Sequence, residues 1–317
     1  MKRQTLSETG RLYKGNLHLH TTKSDGRLSP EETLERYKRN GYTFCAVTDH
    51  WRYAWYPEHE TDTFLVLGGA EFGSDITRSG GGIHHIVAFG DPDVTLFGNG
   101  ESFSPDNFNC KSVQEIVNFI RERGNEALYC HPYWSLAEIS DTLDIRGCIG
   151  MEIYNHGCEI EGRMGSGEVF YDHMLWHGQK LWAFSADDAH GWLPDYCGGS
   201  ILVKTDDFSH AGLMDAIRRG SFYSVAAMEG EEAPEIISFY VEDEKVVFVC
   251  SGAKRIHLIG REAEYPAFGP YLYQGFIMDK EPLIQVEYPV PPGLSSIRAV
   301  AVDQNGNSAW AQPIFLK

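Results

Sequence analysis

Strand-like and helix-like segments alternate along the first two thirds of the chain, and this alternation constrains the fold more than any other feature. Apolar runs predict strands at residues 42–48, 64–70, 83–89, 127–130, 148–154, 181–185 and 201–204. Capping residues and apolar spacing predict helices at residues 29–41, 112–124, 167–177 and 211–220. Such alternation is typical of an α/β protein whose parallel sheet is closed or wound with helices outside it.

Histidines and carboxylates recur in these strands or directly after them. His18 and His20 alternate on a strand-like stretch, so their side chains share a face, with Cα atoms about 7 Å apart. Asp25 follows in a turn-prone Ser-Asp-Gly stretch that brings a carboxylate to the same region. The other candidates are His50, Glu71, His85, His131, Asp188 and His190. In a barrel the C-terminal ends of the strands meet at one mouth, where we expect these side chains to converge.

Imidazole and carboxylate ligands without thiolates suit Zn²⁺, Mn²⁺ or Fe²⁺. Nine such side chains exceed the need of a single ion, so the sequence predicts two to three divalent metal ions. Glu71 carries two oxygens and can bridge a pair of them. Clustered divalent ions can activate a bound water as a nucleophile, so such a site requires no serine or cysteine nucleophile.

Several neighbours of the candidate ligands have predicted supporting roles. Asp49 and Asp187 each precede a candidate ligand, and we expect them to help by orienting a ligand or capping a turn. His84 adjoins His85 and is expected to face the other side of its strand. Contact with substrate is predicted, from barrel topology alone, for Asn155 or His156, and Arg163 in the following loop could bind a phosphate. A solvated surface position is the alternative for the arginine.

Charge and cysteine usage narrow the class of partner and compartment. The formal net charge of −18 disfavours nucleic acid and anionic membranes as partners, which leaves a small-molecule substrate as the expected partner. The seven cysteines are odd in number and scattered, which argues against a disulfide framework and for a reducing compartment. Neither a signal-peptide pattern nor an apolar run of roughly 18 residues is visible, so a cytoplasmic location is expected. The oligomeric state stays open.

The character of the chain changes after residue 224. Residues 225–234 are acidic and turn-prone, which predicts a linker. From residue 235 to 317 only strand-like runs with intervening turns occur, which predicts a small all-β sandwich. The expected organisation is therefore a barrel at 1–224, a linker at 225–234 and a sandwich at 235–317.

The candidate ligands stand in short motifs that follow one another in a specific order. These are His18-Leu19-His20-Thr21, Ser24-Asp25-Gly26, Thr48-Asp49-His50, Glu71, His85-Ile86-Val87, His131-Pro132 and Asp188-Ala189-His190. In these motifs the chain resembles the PHP (polymerase and histidinol phosphatase) family. The resemblance implies a distorted (β/α)₇ TIM-like barrel with a trinuclear metal site that hydrolyses phosphoesters.

The resemblance also implies how the ligands are shared among three ions. One ion would be held by His18, His20, Glu71 and Asp188. The second would be held by Glu71, His85 and His131, and the third by Asp25, His50 and His190. Residues 216–223 and 309–314 resemble the branch named for carbaryl hydrolase, which joins a PHP barrel to a C-terminal β-sandwich.

The function expected from this combination is that of a metal-dependent phosphoesterase acting on a small phosphorylated compound. A closely related alternative keeps the metals but cleaves a carbamate, a carboxylic ester or an amide. A third alternative is a metal-binding module without activity. The complete ligand set argues against that module, because loss of activity would be expected to strip ligands first.

Overall fold

The computed structural model describes residues 2–74, 83–104, 112–262 and 271–317. Within these residues the strands are β1 Arg3–Gln4, β2 Arg11–Asn16, β3 Phe44–Ala46, β4 Arg52–Tyr53, β5 Leu65–Ser74, β6 His84–Gly90, β7 Glu101–Ser102, β8 Glu126–Tyr129, β9 Gly150–Asn155, β10 Trp182–Ala186, β11 Gly199–Thr205, β12 Phe222–Ala226, β13 Ile236–Glu242, β14 Lys245–Ala253, β15 Arg255–Arg261, β16 Tyr271–Ile277, β17 Leu283–Pro289, β18 Ser296–Val302 and β19 Ser308–Phe315. The α-helices are α1 Pro30–Arg39, α2 Val113–Glu122, α3 Ile139–Thr142, α4 His156–Gly162, α5 Glu168–Trp176 and α6 His210–Arg218. None of the helices in the described residues is long and apolar enough to cross a membrane.

One sheet of thirteen strands organises the molecule. Its strand order is β10-β9-β8-β6-β5-β3-β2-β11-β12-β19-β18-β15-β16. From β2 to β10 the neighbouring strands are parallel, except that β6 is antiparallel to both β5 and β8. A second, antiparallel sheet contains β1, β13, β14 and β17, and a two-stranded sheet contains β4 and β7.

The segment that follows β10 lies beside the segment that follows β2. Leu19 and Ala189 form a parallel bridge, and the amide of His20 donates to the Ala189 carbonyl at 3.0 Å. The amide of Asp188 donates to the carbonyl of His18 at 2.8 Å. The ends of these two strands, which lie far apart in the strand order, are therefore adjacent in space.

The start of α1 is fixed by the predicted capping box. The Ser29 hydroxyl accepts from the amide of Glu32 at 3.2 Å, and the Glu32 carboxylate accepts from the amide of Ser29 at 2.9 Å. Pro30 occupies the first helical position, where its missing N–H costs nothing. The helix buries Leu34 and Tyr37 against the sheet, so this predicted element is confirmed.

The α/β class is confirmed for the first part of the chain, but the structure is richer in sheet than the resemblance implies. Six α-helices accompany nineteen strands in the described residues, and β6 runs against its neighbours. A complete (β/α)₇ barrel is therefore not confirmed. The elements that the prediction missed are helices α3 and α4, strands β12, β16 and β19, and the short strands β1, β4 and β7.

Strand β12 crosses the predicted boundary at residue 224. β12 continues to Ala226 and pairs with β19, with Tyr223 opposite Ala311 and Ala226 opposite Ser308. The C-terminal strands belong to two sheets, and buried side chains from both, among them Phe248 and Ile256, share one apolar cluster. Four of them extend the large sheet, while the other three join the N-terminal strand β1. The division into two domains stays a prediction.

Side chains of the C-terminal strands pack onto the earlier part of the chain. The Gln312 side chain accepts from the amide of Ala183 and donates to its carbonyl, both at 2.8 Å. The buried Arg298 guanidinium forms two hydrogen bonds with Asp172 in α5, at 2.7 and 2.8 Å. These contacts connect the C-terminal strands β18 and β19 to α5 and β10.

Candidate metal centre

The structure brings the nine candidate ligands together at one end of the large sheet. His18 and His20 follow β2, and Asp188 and His190 follow β10, whose end lies beside that of β2. His85 instead lies at the start of its strand, because β6 is antiparallel and its first residues reach the same edge. The remaining candidates join them there: Asp25, His50, Glu71 and His131. The side chains thus converge as expected, while metal binding itself stays a prediction.

The buried carboxylate of Glu71 lies at the centre of the cluster. Its Oε2 faces three histidine nitrogens and its Oε1 faces two others. The nitrogens near Oε2 are His18 Nε2 at 3.3 Å, His20 Nε2 at 3.1 Å and His50 Nδ1 at 3.1 Å. Those near Oε1 are His85 Nδ1 at 2.8 Å and His131 Nε2 at 3.2 Å. One carboxylate therefore divides the histidines into two groups, as a bridging ligand would.

Asp188 completes the inner, buried part of the cluster. Its Oδ1 lies 2.9 Å from Nε2 of His20 and 3.2 Å from Nε2 of His18. Its backbone has a φ of 52°, a left-handed conformation that is unusual outside glycine and is common at functional sites. The strained backbone is held by the bridge between the ends of β2 and β10.

The outer part of the cluster opens toward solvent. Oδ1 of Asp25 lies 3.5 Å from Nε2 of His190, and Oδ2 lies 3.5 Å from Nε2 of His50. The Asp25 side chain is 55% exposed, whereas the inner carboxylates are buried. Substrate would reach the cluster from this side.

Asp49 holds the loop that carries Asp25. Its carboxylate accepts from the amide and hydroxyl of Thr21, at 2.8 and 2.7 Å, and from the hydroxyl of Ser24 at 2.7 Å. Asp49 therefore makes the kind of contacts that its predicted orienting role requires.

Unpaired buried atoms test whether the cluster fits metal ions. Among the described residues, five buried side-chain atoms of this cluster lack a hydrogen-bond partner: His18 Nε2, His20 Nδ1, His20 Nε2, Glu71 Oε2 and Asp188 Oδ1. Leaving such groups unpaired costs free energy. Imidazole nitrogens and carboxylate oxygens are the ligands that Zn²⁺, Mn²⁺ and Fe²⁺ accept, so divalent ions would satisfy these atoms. The residues present therefore fit the predicted cofactor.

The charges of the cluster are strongly coupled. Burial alone would lower the pKa of His20, but contacts with the carboxylates of Asp188 and Glu71 raise it to about 10. The same carboxylates raise the pKa of His18 and of His131 against the effect of burial. In return, burial would raise the pKa values of Glu71 and Asp188, but the histidines hold both well below their usual range. Without ions, the buried carboxylates therefore favour the protonated forms of His18, His20 and His131.

A cavity of about 310 Å³ lies over the cluster. Outside the candidate ligands, its walls include Trp134, Cys158, Glu161, Trp192 and Asp195. The Trp134 indole donates to Glu161 at 2.8 Å, and the Trp192 indole donates to the backbone carbonyl of Asp25 at 2.9 Å. The cavity is large enough for a small substrate.

The three predicted substrate contacts stay a prediction, and the structure places these residues outside the walls of this cavity. Asn155 is buried and caps α4, accepting from the amide of Cys158 at 2.9 Å. His156 is buried in the first turn of the same helix, and Arg163 is exposed at its end, with a φ of 58°. Among the described residues that line the cavity, none of the three occurs. The structure has helix α4 directly after β9, and Asn155 at its start contacts Asp188 behind the cavity wall rather than the cavity itself.

Asp187 lies among hydrogen-bond donors of the segment before β11. Its buried carboxylate accepts from the Tyr37 hydroxyl and from the backbone amides of Cys197, Gly198 and Gly199. Burial raises the pKa of Asp187 to about 7, although these donors act in the opposite direction. The residue fixes the chain before β11 rather than orienting a candidate ligand.

Sequence reasoning missed the role of Glu152. Its buried carboxylate lies 2.7 Å from Nδ1 of His18, on the side of the imidazole away from the cavity. A signal was present, because a glutamate inside an otherwise apolar strand must find a buried partner. The partner could not be read from the sequence, since it lies 134 residues away.

Comparison with known proteins gives short or distant similarities. No protein-family model matches the chain. A segment of 48 residues, 15% of the chain, is 46% identical to the DNA polymerase/3'-5' exonuclease PolX of Bacillus subtilis (strain 168). The chain spans about 8% of the length of this curated relative.

Solved structures of similar shape are described in related terms. A two-domain protein from Bacteroides vulgatus, described as containing a predicted PHP-like metal-dependent phosphoesterase, is 13% identical, with a TM-score of 0.47 over 94% of this chain and 92% of that one. An amidohydrolase from Chromobacterium violaceum is 19% identical, with a TM-score of 0.39 over 56% of this chain and 87% of that one.

A third matched structure is a candidate metal-dependent phosphoesterase from Bifidobacterium adolescentis. It is 15% identical, with a TM-score of 0.37 over 56% of this chain and 87% of that one. None of these proteins is described as a carbaryl hydrolase, so that branch stays a prediction.

Proposed function

We propose that this PHP-like chain is a metal-dependent hydrolase that cleaves the phosphoester of a small phosphorylated compound. The observation that carries the proposal is the buried Glu71 carboxylate, with histidine nitrogens on both of its oxygens and unpaired buried atoms around it. The nine side chains offer enough ligands for two to three divalent ions.

We propose the division of ligands that the family resemblance implies. The inner ion is assigned to His18, His20, Glu71 and Asp188, the second to Glu71, His85 and His131, and the third to Asp25, His50 and His190. The contacts of His50 support a shared position between two ions, because its Nδ1 lies 3.1 Å from Glu71 and its Nε2 lies 3.5 Å from Asp25. The adjacent ends of β2 and β10 support closure of the strands from β2 to β10 into a barrel around this site.

Bound divalent ions would lower the pKa of a water and neutralise charge on the phosphoryl oxygens. The chain supplies the environment for that chemistry. Its inner ligands are buried and fixed by the ends of β2 and β10, while Asp25, His50 and His190 are partly exposed at the mouth. A phosphoryl group entering the cavity would meet the outer ligands first.

A substrate panel tests the reaction class. p-Nitrophenyl phosphate, bis-p-nitrophenyl phosphate and a naphthyl carboxylic or carbamic ester would each be assayed with Zn²⁺, Mn²⁺ and Fe²⁺. We expect turnover of a phosphoester that chelation abolishes and one of these metals restores. Turnover of the carboxylic or carbamic ester alone would overturn the phosphoesterase assignment while keeping a metal-dependent hydrolase.

Metal content and thermal stability provide a direct prediction. Protein purified after metal-supplemented growth should carry more than one ion per chain by elemental analysis. Chelation should lower the thermal midpoint, because ions bound only by the folded state stabilise it by about 2.7 kcal/mol at a hundredfold excess over Kd. Less than one equivalent of metal, or a midpoint indifferent to chelation, would contradict the multinuclear site.

The coupled charges predict how metal affinity depends on pH. The pKa values of His18, His20 and His131 are raised, so these rings hold protons more tightly than free imidazoles do, and ions must displace those protons on binding. Apparent metal affinity should therefore rise as pH rises and fall as pH falls. Calorimetric titration in buffers of different ionisation enthalpy should show proton release at neutral pH. Binding without proton release would contradict the raised pKa values.

A further inference from the structure

Glu152 in β9 lies behind the cluster and is not among the nine candidate ligands. The residue is 1% exposed, and three groups converge on its carboxylate. Oε1 lies 2.7 Å from Nδ1 of His18, while Oε2 accepts from the backbone amide of His131 and from the side-chain amide of Asn155, both at 2.9 Å. A carboxylate in this arrangement has no proton to give, so its partners must donate.

The contact with Glu152 decides which nitrogen of His18 has a lone pair available for a metal ion. A neutral imidazole has one N–H and one lone pair, and the group bound to one nitrogen fixes the state of the other. With the proton on Nδ1, the lone pair lies on Nε2. That nitrogen points toward Glu71 and Asp188, at 3.3 and 3.2 Å, and has no hydrogen-bond partner.

The same carboxylate holds the backbone of a second candidate ligand. His131 has a φ of 27°, on the left-handed side that residues other than glycine rarely adopt. Such conformations cost about 1–3 kcal/mol and persist only where the surroundings enforce them. The hydrogen bond from the His131 amide to Glu152 is one such constraint, and it leaves Nε2 of His131 facing Oε1 of Glu71 at 3.2 Å.

Asn155 extends this arrangement to the inner carboxylate. Its side-chain amide donates to Glu152 at 2.9 Å and to Oδ2 of Asp188 at 3.2 Å, and its carbonyl caps α4. Glu152 is thus connected to ligands assigned to two different ions.

We propose that Glu152 is a positioning residue that fixes the tautomer of His18 and the backbone of His131, and so controls two of the proposed ions together. The inference rests on the proposed function, because it concerns residues that hold the ions. Outer partners of metal-bound histidines commonly affect metal affinity by 10–100-fold.

Glu152→Gln is the sharpest test, because it keeps the size of the side chain and replaces one acceptor by a donor. If the NH₂ group of the glutamine faces Nδ1, this nitrogen of His18 must become the acceptor. The imidazole proton then lies on Nε2, where it blocks metal binding. If the NH₂ group instead takes the place of Oε2, it faces the N–H groups of His131 and Asn155, which are donors as well. Either orientation breaks one of the observed contacts.

We expect zinc affinity, measured by competition with a chromogenic chelator, to fall about 10–100-fold in Glu152→Gln. Glu161→Gln is the matched control: it is the same substitution of a glutamate near the cluster, but the Glu161 carboxylate lines the cavity and contacts the Trp134 indole rather than a candidate ligand. Affinity should be unchanged in this control. Wild-type zinc affinity in a folded Glu152→Gln variant would overturn the role of Glu152, whereas wild-type protein that binds no zinc would overturn the proposed function as well.

A measurement on the wild type keeps the test independent of the variant's folding. In zinc-loaded protein labelled with ¹⁵N-histidine, the resonances of His18 should show a protonated Nδ1 and an unprotonated Nε2. The His18 resonances can be assigned by their loss in His18→Asn. Zinc bound through Nδ1 would overturn the proposal, because that nitrogen faces Glu152.

Discussion

Glu71→Gln should empty the metal centre and abolish hydrolysis, with the largest effect of any single substitution in the chain. An amide offers one oxygen and one NH₂ group, so either the three nitrogens near Oε2 or the two near Oε1 would face a donor instead of an anion. Two bridged ions lie about 3.5–4 Å apart, and loss of the anion between them leaves their repulsion less compensated.

We expect kcat to fall by at least about 10³-fold, which corresponds to about 4 kcal/mol of transition-state stabilisation. Elemental analysis and kcat measured on the same preparation would check the prediction. Glu161→Gln controls for the loss of one negative charge at the cavity. A folded Glu71→Gln variant that retains its full metal content would show that Glu71 does not bridge ions.

The convergence of the site could be predicted because it follows from strand geometry. His18 and His20 alternate on one strand, and the other candidates lie where strands meet the same edge of the sheet. Such an arrangement needs only the period of a strand and the direction of neighbouring strands. The sequence did not reveal that β6 runs antiparallel, although its candidate ligand lies at the start of the strand rather than at its end.

The parts that could not be predicted depend on pairing across long separations. Glu152 approaches His18 across 134 residues, and β12 pairs with β19, so neither contact leaves a local pattern. The helix α4 was missed for a different reason. Asn155 caps it through a side chain that also contacts Glu152, and this short helix is held by its packing rather than by a long apolar repeat.

His84 and His85 are adjacent on β6 and should respond to substitution in opposite ways. The strand period shows that only one of them can face the cluster, and the family resemblance, not the apolar pattern, assigned that role to His85. In the structure, Nδ1 of His85 lies 2.8 Å from Glu71, whereas Nδ1 of His84 lies 2.7 Å from the hydroxyl of the buried Tyr129. Burial also lowers the pKa of His84, which favours its neutral form.

We therefore expect His85→Ala to lose metal and to reduce kcat by at least about 100-fold, since removal of even an outer partner of a ligand costs 10–100-fold. His84→Ala should keep its metals but lower the free energy of unfolding by about 1–3 kcal/mol, because it leaves the Tyr129 hydroxyl buried without that partner. Metal content, kcat and a denaturant titration of both variants separate the two effects. If His84→Ala empties the site and His85→Ala does not, the register of β6 is wrong by one residue, and the pairing of Glu71 with its neighbours on that strand must shift with it.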